Sequence, residues 1–388
     1  MQESIADPNR RGRTFASAFY LLYYGAQATF LPFLTLYYQG LGLSGSQIGL
    51  LAGLSPVISL VSAPLWSGLA DATGKHRWVL SFGLLGAAGG ILMMRQAEQL
   101  AWLALAITCY AFFASAIIPL ADSATMHMLG GEKASYGKIR MWGSVGWGIS
   151  APLAGKLIDG YGVKAGFACS ASLVFLILLV SLGMRHSTQR LSTPFWHGVR
   201  QVLADRRWYP FLGLAMVGGM CLSVVSSYLQ LLMKSLGASR TQVGLSQTVA
   251  TLSEIPMLFF VDRLIKRWGA RRVMGAGIAA YALRGFLVSF AKTPEAILLI
   301  QALHGTTFAL MISAGVTLAD EMSPKGLKAT GQGLWSATMG GVGVMSGAVL
   351  GGWIFEHYSA AATFQVTSAI AVIGLLLWLT LGKGLKEA

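Results

Sequence analysis

The chain is 388 residues long, 54% hydrophobic and only 11% charged, with a mean hydropathy of +0.61. Soluble globular chains carry about 25% charged residues, so this one has too little polar surface to face water on all sides. Its net charge of +14 does not mark a nucleic-acid partner, because the basic residues lie in the short connections rather than on one face.

Residues 1–13 are polar and include Arg10, Arg11 and Arg13. No small-residue cleavage site follows the first apolar run, which therefore reads as a retained helix. Twelve spans are predicted, near 14–38, 47–70, 78–96, 99–127, 136–159, 163–184, 208–233, 241–262, 272–291, 295–319, 329–356 and 362–382. Runs of about 18 apolar residues are long enough to cross a ~30 Å hydrocarbon layer. The 48 glycines fit membrane helices, where small residues allow close approach. Cys109, Cys169 and Cys221 all fall inside apolar segments and suggest no disulfide framework.

The one long polar connection divides six spans from six. It predicts an N-terminal bundle over 1–184, a linker over 185–207 and a C-terminal bundle over 208–388. Within the linker, Phe195 to Leu203 mixes aromatic, apolar and basic residues and predicts a short helix on the inner membrane surface. Of the 29 lysines and arginines, 22 fall on the side of the N-terminus and 6 on the other, with Arg284 in mid-span. The positive-inside rule then places both termini in the cytoplasm, in the inner membrane of a bacterium.

The halves repeat weakly. Gln47-Ile48-Gly49-Leu50 opens span 2 as Gln242-Val243-Gly244-Leu245 opens span 8, an offset of 195. Ala121-Asp122 recurs as Ala319-Asp320 and Trp142 as Trp335, at offsets of 198 and 193. Such parallel repeats predict two pseudo-symmetric six-helix bundles with a binding site between them.

Five ionisable residues lie inside the spans: Asp122, Arg140, Glu254, Arg284 and His304. A charge at the bilayer centre costs roughly 2.5–3.5 kcal/mol on insertion scales, so such residues mark a solute, ion or proton path. Arg140 has a planar fork that grips a carboxylate at two points, or it forms an ion pair with Asp122 that satisfies both charges. Glu254 is the candidate proton carrier, and His304 can bond a solute in either protonation state. Each also has a structural reading, Glu254 as a partner of Arg284 or His304, and His304 as a packing residue. Trp147 offers a flat face to a sugar or aromatic ring. Asp320 and Glu321 read as gate or loop charges, and His76, His127, His186, His197 and His357 as loop or interface residues.

The connection between spans 2 and 3 reads Ser67-Gly68-Leu69-Ala70-Asp71-Ala72-Thr73-Gly74-Lys75-His76-Arg77. It resembles the signature of the major facilitator superfamily, with Ser67 for its first glycine and Ala72 for its first basic residue. The resemblance implies a conformational gate at Asp71, Gly74 and Lys75, where Asp71 caps a helix or pairs with a basic group. The copy after span 8, Asp262 to Gly269, is degraded, with Lys266 in the acid's place.

The set Asp122, Arg140, Trp147, Glu254, Arg284 and His304 resembles, position by position, the lactose permease branch of proton symporters. Phe30-Leu31-Pro32-Phe33, Tyr136-Gly137-Lys138 and Gln301-Ala302-Leu303-His304 are similar to the phenylpropionate permease group. Thr307 stands where lactose permease has a second carboxylate, which argues against a lactose-type proton path. The resemblance implies an all-α membrane protein of the major facilitator fold. Its expected function is proton-coupled import of a small organic solute such as an aromatic carboxylate, by alternating access. Those six residues would bind the solute, and Glu254 and His304 would couple protons. Alternatives are a sugar or nucleoside symporter and a proton-coupled exporter, the latter from a partial echo of a drug/proton antiporter motif at Gly143, Ala151-Pro152 and Gly155. No nucleophile motif, metal-ligand spacing or phosphate loop points to an enzyme, a metal or a cofactor. The expected partners are the solute, protons and the bilayer, and the expected state is a monomer.

Overall fold

The computed structural model describes residues 8–129, 134–184, 195–324 and 326–381, and among these the regular structure is helical throughout. The first span is α1 (Pro8–Ala28), a 3-10 turn over Leu31–Phe33 and α2 (Leu34–Gly40). Pro32 lacks an amide donor and Thr29 turns its hydroxyl onto the Ala26 carbonyl, so the helix breaks there. Then come α3 (Gly45–Thr73), α4 (His76–Gln96), α5 (Leu100–Ala114) with α6 (Ile117–Leu129), α7 (Ala134–Tyr161) and α8 (Val163–Ser181). After α9 (Phe195–Leu203), the chain continues through α10 (Trp208–Ser235), α11 (Arg240–Trp268) and α12 (Ala270–Ser289). The tenth span is α13 (Pro294–Ile300), a 3-10 turn over Gln301–Leu303 and α14 (His304–Met322). The eleventh joins α15 (Lys328–Ser336) to α16 (Val344–His357) through a π turn, and α17 (Ala360–Leu381) is last.

Among the described residues, eight helical stretches are long and apolar enough to cross a membrane. The spans outside that set are α1, α7, α11 and α12, each with three or more charged residues. Three of them carry Arg140, Glu254 and Arg284. Large apolar side chains such as Leu153, Leu252, Phe259 and Leu299 stand exposed, which suits a lipid-facing surface and would be an aggregation hazard in water.

The repeat has a physical basis at the helix starts. Ser239 and Gln242 form a capping box at α11, each side chain bonding the other's backbone amide. Ser44 and Gln47, 195 residues earlier, do the same at α3. The turns that need a left-handed residue fall at the same offset, Gly42 with Gly237 and Gly74 with Gly269, all at φ between +66° and +86°.

The chain forms two compact units, Met1–Phe33 with Ile58–Ser192, and Leu34–Val57 with Thr193–Ala388. In the first, α1 packs on α7 and α8, and α4 on α5 and α8. In the second, α12 packs on α14 and α17, α11 on α14, and α10 on α16 and α17. Within that second unit Tyr228 donates to the Ala348 carbonyl at 2.5 Å, Lys234 to Gln39 at 2.9 Å and the Ser46 amide to Glu356 at 2.8 Å. Helix α9 forms where a short helix was predicted. Its Val202 is fully buried in one core with Trp208 and Phe211, so this end of the helix packs on protein.

Candidate functional site

In the first unit the site is organised by α1. Its Tyr20 hydroxyl donates to Asp122 at 2.5 Å and lies 3.4 Å from the Thr125 hydroxyl. The Arg140 guanidinium sits over two rings, 5.2 Å from the centroid of Tyr20 and 4.8 Å from that of Tyr24. Tyr20 and Tyr24 are four residues apart, so both point to the same face of α1. Tyr136, at the start of α7, faces the Asp122 carboxylate as well. No ion pair links Asp122 to Arg140 among the described residues; Tyr20 stands between them, bonded to one and stacked under the other. Of the two readings of Arg140, the direct ion pair with Asp122 is not formed here, and an aromatic bridge links the two residues.

The close approach of α1 to α7 is set by glycine. A methyl at Gly146 would collide with the Leu21 carbonyl oxygen, so no side chain fits there. Trp147 follows Gly146 and is half-buried. It stands two turns, about 10 Å, beyond Arg140 on the same face of α7.

In the second unit the centre is Arg284, 1% exposed. It donates to His304 Nδ1 at 3.0 Å, to the Thr307 hydroxyl at 3.2 Å and to the Gln301 side-chain oxygen, and its Nε has no hydrogen-bond partner among the described residues. All three acceptors are neutral. Gln301 is fixed in turn by donating to the Ser246 carbonyl at 3.2 Å, and Thr307 by donating to the His304 carbonyl at 2.7 Å. Gln301, His304 and Thr307 lie at the break between α13 and α14 and in the first turn after it. The irregular backbone thus presents three acceptors to one cation.

An arginine can only donate, so His304 Nδ1 must accept, and a neutral imidazole then carries its proton on Nε2. That nitrogen lies 4.0 Å from the Glu254 carboxylate. His304 also stacks on Phe308, with ring centroids 5.6 Å apart. Glu254 is brought to this place by a close crossing of α11 and α14, where a methyl at Gly305 would collide with the Ser253 carbonyl oxygen.

The structure thus gathers Glu254, His304 and Arg284 in one cluster, and Asp122 and Arg140 in another with Trp147 further along α7. Sequence reasoning passed over Tyr20, Tyr24 and Gln301 as site residues. Two tyrosines at helical spacing and a glutamine three residues before His304 are patterns that ordinary helix packing also produces, so they gave no distinguishing signal.

In the connection between α3 and α4, Asp71 pairs with His76 Nε2 at 2.9 Å, across the turn made by Gly74. His76, expected in a loop or at an interface, opens α4 and is 5% exposed. Lys75 is exposed, and its backbone amide lies 3.3 Å from the Thr73 hydroxyl. Asp320 pairs with Lys328 at 2.5 Å, tying the end of α14 to the start of α15.

Comparison with known proteins agrees with this architecture. Residues 14–366 match the family described as the MFS_1 like family. A maltose permease of Geobacillus stearothermophilus is 28% identical over 97% of this chain and 96% of its own. A multidrug resistance protein MdtG of Salmonella arizonae is 25% identical over 89% of both chains. A probable 3-phenylpropionic acid transporter of Escherichia coli is 24% identical over 92% of this chain and 95% of its own. The crystal structure of a mutant of the nucleoside transporter NupG superposes with a TM-score of 0.87 over 96% of this chain and all of that one, at 18% identity. These relatives are transporters, not enzymes.

Proposed function

The chain belongs to the MFS_1-like family and is a multi-pass membrane transporter, and on that footing we propose that it imports a small organic anion, typically an aromatic carboxylate, together with protons. The observation that carries this reading is Arg284. A buried charge is normally paired, yet its contacts are an imidazole, a hydroxyl and an amide oxygen. A guanidinium held by neutral groups keeps its charge available to an anionic solute. Arg140, over Tyr20 and Tyr24, and Trp147 supply cationic and aromatic surface that suits a ring-bearing acid.

Proton coupling rests on Glu254 and His304. The imidazole is held by Arg284 so that Nε2 faces the Glu254 carboxylate, and a proton taken up by Glu254 lowers the negative charge beside Arg284. An anion and a proton then favour each other's binding, which is the requirement for symport. We place the protein as a monomer in the inner membrane with both termini cytoplasmic, Asp71, Gly74 and Lys75 acting as a conformational gate.

The test is uptake of labelled 3-phenylpropionate and maltose into proteoliposomes under an imposed inward proton gradient. The expected result is accumulation of the acid that a protonophore abolishes, and that Glu254→Gln converts to equilibration without accumulation. A second reading, sugar symport, is favoured by the maltose permease relative and by Trp147; accumulation of maltose alone would establish it. Loss of preloaded solute under the same gradient would establish export instead.

A further inference from the structure

Away from both clusters, a cleft of about 350 Å³ opens between α12 and α17 in the second unit. Its floor is made of small residues, Gly275, Ala276 and Ala279, and Leu375 and Leu379 rise one turn apart from α17 as its wall. From Arg271 to Ala279 the trough runs about 12 Å along the helix axis. At one end stand Arg271 and Arg272, both lining the cleft. Trp378 fixes that end: its indole N–H donates to the Arg271 carbonyl at 3.3 Å, and the Arg271 guanidinium lies 5.9 Å from its ring centroid.

The basic end is also the first turn of α12, after Gly269 at φ +82°. The first amide to bond within the helix is that of Val273, to the Gly269 carbonyl at 3.2 Å. The amides of residues 270–272 therefore have no acceptor inside the helix and add the positive end of its dipole to two guanidinium groups.

The repeat supplies a comparison. Positions 195 residues earlier, on α4, are His76, Arg77, Leu80, Ser81 and Leu84. There Leu80 and Leu84 are fully buried, whereas Gly275 has no side chain and faces Trp378, Ala279 is exposed, and His76 is turned onto Asp71. At these positions α4 carries two leucines where α12 carries a glycine and an alanine, so the small-residue floor belongs to the second unit's own sequence.

The geometry points to a binding site for an anionic phospholipid, with its headgroup phosphate on Arg271, Arg272 and the start of α12 and an acyl chain in the trough. A free phosphate would satisfy the basic end and leave the apolar trough empty. A zwitterionic lipid would fill the trough and bring an ammonium to two arginines. Ala279 and Leu379 are exposed, so the trough opens where hydrocarbon chains can enter. Basic pockets between membrane helices hold anionic headgroups by the same combination.

The experiment is lipid retention by the full-length detergent-solubilised protein, read by native mass spectrometry with phosphatidylglycerol or phosphatidylcholine added. Wild type should retain phosphatidylglycerol preferentially. Arg271→Gln with Arg272→Gln should weaken that retention roughly 10–30-fold. Arg263→Gln with Lys266→Gln, the same charge change outside the cleft, should leave it unaltered. Ala276→Phe fills the trough with both arginines intact and should also lose the lipid; Ala279→Phe, at an exposed position, serves if that variant does not fold. Equal retention of the two lipids, an equal loss in the Arg263/Lys266 control, or full retention in the folded trough-filling variant would each overturn the assignment. Competition by glycerol phosphate as strong as by the lipid would show a free-anion site and overturn it too.

Discussion

The two units hold their membrane-embedded cations in opposite ways. Arg140 lies half-buried over the rings of Tyr20 and Tyr24, and Asp122 hangs from the Tyr20 hydroxyl. Arg284 is enclosed and fastened to neutral acceptors on one broken helix. A ring face bends little with angle and lets a cation shift, whereas three directed hydrogen bonds fix a guanidinium in place. The first arrangement suits a group that adjusts to its ligand. The second suits an anchor whose charge is uncompensated by its contacts, and it is costly to keep because desolvation of a buried charge amounts to several kcal/mol.

The largest effects should come from altering that anchor. Arg284→Gln should bring uptake to background, a loss of roughly 100-fold or more for a buried charge removed from its partners. That result alone does not distinguish an anion seat from a scaffold. Thr307→Asp does, because it sets a carboxylate within reach of the guanidinium at nearly unchanged volume. If Arg284 serves an anionic solute, the variant should keep or raise its unfolding temperature and lose carboxylate uptake at least about tenfold, its anchor being occupied from within. Unchanged carboxylate uptake in a well-folded Thr307→Asp protein would remove Arg284 from the solute site.

Changes in the first unit should be graded. Arg140→Ala loses charge and stacking together. Arg140→Lys keeps the charge but not the planar group that lies over two rings, and should still cost roughly tenfold in solute affinity. Tyr20→Phe retains the ring under Arg140 and deletes the hydroxyl that bonds Asp122 and, at longer range, Thr125. It should weaken affinity by about fivefold, near the 1 kcal/mol of one hydrogen bond. Affinities measured by equilibrium binding should fall in that order. If Tyr20→Phe proves as damaging as Arg140→Ala, the hydroxyl rather than the cation organises this cluster.

The twelve spans were legible because bilayer thickness sets the length of an apolar run, and the five charges because hydrocarbon makes each one conspicuous. Their partners were not legible. Tyr20, Tyr24 and Gln301 are uncharged residues in apolar spans, and nothing in their spacing separates a ligand of Arg140 or Arg284 from ordinary packing. The breaks inside spans were equally hidden. They depend on local choices, such as Pro32 and the Ser115 hydroxyl bonded to the Phe112 carbonyl at 2.8 Å, that leave average hydropathy untouched. The repeat was visible at Gln47 and Gln242, but its cause, a capping box, became evident only with the Ser44 and Ser239 partners in place.

The smallest effect is expected at the turn before α4, where the halves again differ. Asp71 and His76 pair at 2.9 Å, whereas the positions 195 residues later are Lys266 and Arg271, two cations. Asp71 is 37% exposed and His76 only 5%, so the pair closes one turn firmly while remaining within reach of water. A half-exposed pair of this kind contributes at most about 0–1 kcal/mol, the range of a surface ion pair, and Asp71→Asn keeps a hydrogen-bonding side chain. Turnover in proteoliposomes should therefore fall about two- to fivefold, with solute affinity in detergent unchanged, because neither residue belongs to the clusters proposed to hold the solute. His76→Gln should give the same pattern, and the double variant no more than either single one if the two act only through each other. A double variant whose loss is the product of the two single losses would show that Asp71 and His76 act on separate partners, and the pair would then not be the gate.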